Sequence, residues 1–441
     1  MSRTVKVDVQ YLTRIEGHGN IVVNVRNGKL EECKLDIVES PRFFEGMLRG
    51  RSIFEAQHIT SRICGICACA HSLASIQAAE DAIGFVPSEQ TKKLRKLLLD
   101  IEILDSHLLH TYFLASPDLL GVKSFVPLID THGTLVRRAL RMKKACNDIC
   151  EILVGRHIHP ISCIVGGFTK IPRENDIETI LNILYEMRND MDATVELAKT
   201  LKFPDFTRET EYIALVNDTD GYPMIEGDIG STDGMRINKH EYRKVTNEFV
   251  VRHSSTKHAK ASRESYMVGA LARFNLNSDK LHPKAKMVAG ELGMKPPIFN
   301  PFLITAVQVI ESVHCLEEAI KILEELQRKG TDQKEAVIVG INEKNTIPVR
   351  AGVGVGAVEA PRGTLFHCYE VDGTGKIINA DCVIPTSQNI NNIERDMRKL
   401  VPEILDKPDE EITLMMEMLV RAYDPCISCS THFLDVKFID K

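Results

Sequence analysis

Two Cys-x-x-Cys pairs stand at opposite ends of this chain of 441 residues, Cys64-Gly-Ile-Cys67 near the front and Cys426-Ile-Ser-Cys429 close to the C-terminus. A two-residue gap lets the backbone turn so that both sulfurs of a pair face one ion, and four thiolates suit zinc, an iron–sulfur cluster or another soft-ligand metal. Zinc ribbons place their pairs about 15–20 residues apart, so pairs this distant demand a fold that brings its two ends together around the metal. The bland alternative, buried cysteines acting as small apolar residues, is common for one pair and weakens with two. The chain holds 12 Cys, far below the density of a disulfide-stapled secreted domain, which leaves packing, ligation or catalysis as their work.

Residues 4–40 alternate in the manner of strands, and Asn27-Gly28 lies between Ile21-Val-Val-Asn-Val25 and Leu30-Glu-Glu-Cys-Lys-Leu-Asp-Ile37. Asn-Gly in that setting is the strongest short hairpin signal, because both turn positions need positive φ. From about residue 53 the spacing becomes helical: 72–82, then a long stretch from Ser88, an N-cap candidate, through Leu114, then about 131–155, 175–200, 303–329 and 408–422. A second β region covers Leu365 to Val383, with Asp372-Gly-Thr-Gly375 as its turn. The expectation is one α+β, mainly helical domain spanning 1–441. It divides into an N-terminal antiparallel layer over 1–50, a helical body over 51–345, and a β region with the C-terminal metal-binding segment over 346–441.

With 55 basic against 61 acidic side chains and a net charge of −6, nothing suggests the basic face that nucleic acid requires. The N-terminus has no basic region followed by an apolar stretch. The most apolar runs, such as Pro301–Ile310, are well short of the ~20 residues of a membrane span. The expectation is a cytoplasmic protein with no direct membrane span and no nucleic-acid partner.

Arg62-Ile-Cys-Gly-Ile-Cys-Ala-Cys-Ala-His71 resembles the RxCGxCxxxH motif of nickel–iron hydrogenase large subunits, and Asp424-Pro-Cys-Ile-Ser-Cys-Ser-Thr-His432 resembles their DPCxxCxxH motif. Thr13-Arg-Ile-Glu-Gly-His18, Arg42-Phe-Phe-Glu45, Ser106-His-Leu-Leu-His110, Val268-Gly-Ala-Leu-Ala-Arg273, Ala360-Pro-Arg-Gly363 and Pro385-Thr-Ser-Gln-Asn389 follow that family's order along nearly the whole chain. The resemblance points to the cytoplasmic, multisubunit type.

The resemblance implies a nickel–iron centre with carbon monoxide and cyanide on the iron. Cys64 and Cys426 would be terminal nickel ligands, and Cys67 and Cys429 would bridge the two metals. Dihydrogen would be split heterolytically, with Cys426 as a candidate base and Arg362 over the open site. Glu16 matches the family's proton-transfer glutamate, a role that a buried carboxylic acid can fill near neutral pH. Glu45 and His432 match ligands of a Mg2+ or a second Fe, for which an oxygen donor plus an imidazole is reasonable. Arg362 and the Pro385-Thr386 pair would face the cyanides, since a buried anion needs donors, and Asp424 would pair with an arginine over the site. His71, His107, His110 and His159 read as hydrogen-bonding supports, and Cys69, Cys146, Cys150, Cys163 and Cys382 as packing residues. Serine stands at Ser106 where many members carry an acid. The short tail Phe433–Lys441 is read as that of a lineage needing no C-terminal cleavage.

No further cysteine cluster with iron–sulfur spacing is present, so the resemblance implies an iron–sulfur small subunit and further flavin or iron–sulfur electron-transfer subunits, with dihydrogen as substrate. Two other readings remain at this point: a structural zinc scaffold, and a relative of the quinone-facing subunit of respiratory complex I. Retention of all four cysteines argues against the second.

Overall fold

In the computed structural model, which describes residues 3–337 and 347–431, the N-terminal alternation becomes a three-stranded antiparallel sheet of Val5–Val9, Gly19–Arg26 and Lys29–Ile37. Asn27 and Gly28 have φ of 51° and 74°, as a two-residue type I′ turn demands. Ile21, Val23 and Val25 point into the core from one face of the central strand.

The helical spacing folds as read. Helices run over Ala68–Ile83, Glu89–Leu109, Gly133–Val154, Glu174–Thr200, Ile304–Lys329 and Asp409–Ala422. Ser88 caps the second of these, its hydroxyl oxygen accepting from the Thr91 N–H at 3.1 Å, which satisfies one of the otherwise unpaired amides of the first turn. That helix passes into a π-helical turn, His110–Ala115, a widening often found at functional sites. Helix Ile304–Lys329 packs on both Glu89–Leu109 and Glu174–Thr200. It is buried nearly all round for four turns, as expected of a central helix.

Two regions differ from the expectation. The body read as helical contains a small four-stranded sheet, ordered Arg236–Ile237, Asp228–Ser231, Glu211–Val216 and Tyr266–Met267. Residues 211–215 are all buried, so the strand shows no alternation to read. The C-terminal β region has a third strand, Gly352–Ala360, ahead of Gly363–Val371 and Ile377–Val383. It is followed by an unforeseen helix, Pro385–Glu403, with Pro385 in its first turn, a position where the missing N–H costs nothing.

The glycines of that extra strand place it directly on helix Ala68–Ile83. A Cβ at Gly352, Gly354 or Gly356 would stand 2.2, 2.2 or 1.9 Å from the carbonyl oxygens of Ala82, Ala78 and Ala74. No side chain fits between strand and helix, and Cys67 stands immediately before the first residue of that helix. Gly356→Val is therefore expected to destabilise the protein by at least the ~1–3 kcal/mol typical of an overpacked core, read as a lower denaturation midpoint. An unchanged midpoint would show that the contact is not tight.

Candidate metal centre

The two cysteine pairs are brought together by backbone pairing between the chain's ends. Glu16 and Cys426 form an isolated parallel bridge, and the Ile427 N–H donates to the Glu16 carbonyl at 2.9 Å. Arg42 stitches the two motifs to each other: its guanidinium donates to the carbonyls of Ile63 and Ser428, and its N–H donates to the Thr431 carbonyl at 2.8 Å. Cys64 follows a short 3-10 turn, Ser61–Ile63, and Cys67 sits at the start of helix Ala68–Ile83. Cys426 precedes the short helix Ile427–Ser430, which carries Cys429.

All twelve cysteines are free thiols and buried, but only these four converge. Cys64 and Cys426 lie 3.5 Å apart and Cys67 and Cys429 3.8 Å apart, sulfur to sulfur, and all four sulfurs fall within 4.8 Å of one another. Metal–sulfur bonds of about 2.3 Å in a tetrahedron give edges of roughly 3.8 Å, so the sulfurs already stand at ligand spacing. Hydrogen bonds from Cys426, Cys429 and Cys67 hold the Cys64 thiol well below its ordinary range, and N–H groups of Ile66 and Cys67 also point at its sulfur. Burial pushes Cys426 and Cys429 well above theirs. These opposed directions disfavour ionising all four thiols together, and a soft metal ion is what deprotonates thiols gathered in this way. The donor set therefore fits a soft metal ion, which is what the expected nickel–iron centre requires.

Around the sulfurs, the expected residues are placed as follows. The Cys426 thiol donates to Glu16 Oε2 at 3.1 Å, and the Ser428 N–H donates to the same oxygen at 3.0 Å. Arg362 is buried, its Nε donating to the Asp424 carbonyl at 2.6 Å, Nη2 to Asp424 Oδ1 at 2.8 Å, and Nη1 to the Ser106 hydroxyl at 3.3 Å. Those contacts engage three of the five guanidinium N–H groups. Thr386 accepts from the Cys426 N–H at 3.0 Å, which leaves its own hydroxyl hydrogen to donate. Cys67, Arg362, Pro385, Thr386, Cys426 and Cys429 share the wall of one small cavity. Glu45 is buried, accepts from the Cys382 N–H at 2.9 Å, and is pushed up to about 7 by burial, against the pull of nearby Lys257. His432 lies outside the described residues, as does the tail 433–441.

The histidines act as hydrogen-bonding supports. His71 meets His367 at 3.2 Å, His107 meets Glu311 at 2.9 Å, His110 meets the Arg421 carbonyl at 2.8 Å, and His159 meets the Ser61 carbonyl at 2.8 Å. Sequence reasoning missed Gln308, which donates to Asp424 Oδ2 at 3.3 Å, and the buried lattice around Arg273. Arg273 donates to both oxygens of Glu311 at 2.7 and 2.6 Å and to Glu359 at 3.1 Å. Its remaining N–H groups go to the carbonyls of Ala360 and Pro361 at 3.0 and 3.2 Å. The residue therefore fixes the turn that presents Arg362. No local pattern could have shown this, because the partners come from two distant segments, Glu311 and 359–361.

A buried nest of four thiols, walled by a guanidinium and touched by a carboxylate, defines a protein built to hold a soft metal. The model of the nickel-dependent hydrogenase family matches residues 42–133 and 230–432, and a HoxL-like model matches 6–40. Sulfhydrogenase 1 subunit alpha of Pyrococcus furiosus is 33% identical over 429 residues, 97% of each chain. Sulfhydrogenase 2 subunit alpha of the same organism is 32% identical over 438 residues, covering 97% of this chain and 99% of the relative. Among solved structures, an NAD+-reducing NiFe hydrogenase in the H2-reduced state superposes with a TM-score of 0.84 at 26% identity, covering 97% of this chain and 99% of that one. The chain belongs to the nickel-dependent hydrogenase family, as a hydrogenase catalytic subunit whose reaction interconverts dihydrogen with protons and electrons. Neither the zinc scaffold nor the quinone-facing relative is favoured by any of these matches.

Proposed function

We propose that Cys64 and Cys426 bind nickel alone and that Cys67 and Cys429 bridge nickel to an iron carrying carbon monoxide and cyanide. The single observation behind this reading is the convergence of four sulfurs from the two ends of the chain within 4.8 Å. When bound, the centre supplies open coordination positions at which dihydrogen is polarised and its electrons are accepted.

The chain's own residues handle the proton. Cys426 sulfur takes it and hands it to Glu16 Oε2 across 3.1 Å. Beyond Glu16 the Ser428 N–H holds the carboxylate in place, an amide that itself passes no proton, while the Ser428 hydroxyl donates to Glu39 at 3.3 Å and so sets a second carboxylate beside the same residue. Glu39 in turn meets the exposed ring of His18 at 3.0 Å. Polar groups thus step from buried sulfur to the surface. Arg362, held by Asp424 and Ser106, and Thr386 keep donors free that would hold the cyanides, since an anion in a dry site is stabilised by charge-assisted hydrogen bonds. Arg362→Lys is expected to keep nickel but to lower dihydrogen oxidation about 10²–10³-fold, the range for removing one preorganised donor from a dry site. Full activity in a nickel-loaded variant would remove Arg362 from the site's chemistry.

Glu45, with His432, is proposed to hold Mg2+ or a second Fe. A carboxyl that burial pushes up to about 7 is one that a cation would readily keep ionised. The relatives named as alpha subunits are parts of larger assemblies, and the electrons from this chain are proposed to leave through an iron–sulfur small subunit and further flavin or iron–sulfur subunits. Among the described residues no helix is long and apolar enough to cross a membrane, and the proposed setting is a cytoplasmic complex in which residues 1–441 act as one catalytic unit.

A further inference from the structure

A second group of ligand-type side chains lies away from the four sulfurs. His253, His258 and Glu394 offer two imidazole nitrogens and a carboxylate oxygen within 4.8 Å of one another. Glu394, on the buried face of helix Pro385–Glu403, accepts from the Leu35 N–H of strand Lys29–Ile37 at 3.0 Å. His253 Nε2 stands 2.7 Å from Glu394 Oε1, and His258 Nε2 stands 3.6 Å from Glu394 Oε2. The two rings face each other edge-on, 5.7 Å between centroids.

His258 is the informative member. Its side chain is 2% exposed, yet neither ring nitrogen has a hydrogen-bond partner. In either neutral tautomer one nitrogen keeps a buried lone pair that no donor faces, and buried polar groups are rarely left that way. Nε2 stands 3.6 Å from the carboxylate, within ion-pair distance but too far for a hydrogen bond, a separation that an ion between the two would fill. Bonds of about 2.0–2.1 Å in a tetrahedron give ligand edges of roughly 3.4 Å, which the 2.7 and 3.6 Å separations bracket.

We propose that His253, His258 and Glu394 bind a borderline divalent cation of the zinc class, separate from the thiolate centre. Two imidazoles and one carboxylate suit such an ion, with a fourth position open to water. His253, whose side chain is 26% exposed, gives the ion its way in from solvent. The site ties three parts of the fold together. The segment carrying both histidines is closed by paired backbone hydrogen bonds between Phe249 and His258 at 2.8 Å, and it hangs on the Ile37 carbonyl through the Ser255 N–H at 3.0 Å. In the middle of that segment the Thr256 hydroxyl meets the Ser430 hydroxyl at 2.8 Å, one residue beyond Cys429. An ion bound here would therefore brace the frame on which the C-terminal cysteine pair rests.

The test uses the purified complex, stripped of loosely held ions by a chelator and equilibrated with zinc chloride in a competing chelator buffer. Wild type is expected to take up one zinc per chain that His253→Gln does not, with equal nickel in both, and the zinc absorption edge should report nitrogen and oxygen neighbours only. The variant's affinity should fall at least tenfold, since even loss of a partner outside the ligand shell costs about 10–100-fold. Glu394→Gln, which can still accept from the Leu35 N–H, should lose the ion as well. Equal zinc uptake by wild type and both variants, no uptake by wild type, or sulfur in the zinc shell would overturn the proposal.

Discussion

Cys429→Ser is expected to leave the chain without nickel and without measurable dihydrogen oxidation. Cys429 is buried, its sulfur 3.8 Å from Cys67, and in the proposed centre it bridges two metals. A serine oxygen is a harder donor that stays protonated at neutral pH, so it replaces neither the softness nor the charge of the thiolate. The loss should be specific to the centre. Cys146→Ala, at a buried cysteine outside the cluster, should keep nickel and activity even where it lowers stability. Metal analysis with a dye-coupled activity assay reads both variants, and a nickel-loaded, active Cys429→Ser protein would sink the ligand assignment.

Glu16→Gln is expected to separate proton handling from metal binding. The amide keeps the shape of the side chain, and its oxygen can still accept from the Ser428 N–H, but it cannot take up the proton that the Cys426 thiol offers at 3.1 Å. Loss of a positioned acid–base group costs about 10²–10⁴-fold, and a drop of that order is expected in exchange between D2 and water protons. Nickel and iron content should be unchanged. Glu16→Asp, which keeps the carboxylate but draws it back by one methylene, should fall between. Undiminished exchange in Glu16→Gln would place the exit route elsewhere.

The parts of the molecule legible in the sequence are those whose signal is local. Asn27-Gly28 dictates its own turn, Ser88 its own cap, the 3.6-residue spacing of Glu174–Thr200 survives as a distinct buried stripe, and the length of the apolar run marks Ile304–Lys329 as a helix. The cysteine pairs were legible for a different reason: their chemistry restricts what they can do wherever they lie. Illegible were elements that make sense only beside their neighbours. Gly352, Gly354 and Gly356 read as poor strand formers, and only the carbonyls of Ala74, Ala78 and Ala82 explain them. Helix Pro385–Glu403 is rich in Asn, and those side chains bond to distant partners, Asn389 to Val268, Asn391 to Ala259 and Asn392 to Tyr423.

The same division holds at the site. Glu16, Arg362, Thr386 and Asp424 were named from motif positions, and each stands in hydrogen-bond contact with the cysteine motifs. Gln308 and the Arg273 lattice escaped notice because their meaning lies in contacts across the fold: Gln308 touches Asp424, and Arg273 joins Glu311, Glu359 and the 360–361 carbonyls. They hold Asp424 and the 360–361 carbonyls that flank Arg362, so the site rests on contacts that the motif ending at Arg273 does not itself reveal.

The central claim is that the four converging sulfurs hold a nickel–iron centre whose iron carries carbon monoxide and cyanide. Infrared spectroscopy of the purified complex, with nickel and iron quantified on the same sample, tests it most directly. The expected result is a set of carbonyl and cyanide stretching bands accompanied by nickel and iron in equal amounts at this centre, all absent from Cys429→Ser. A sample with zinc in place of nickel and no such bands would contradict it.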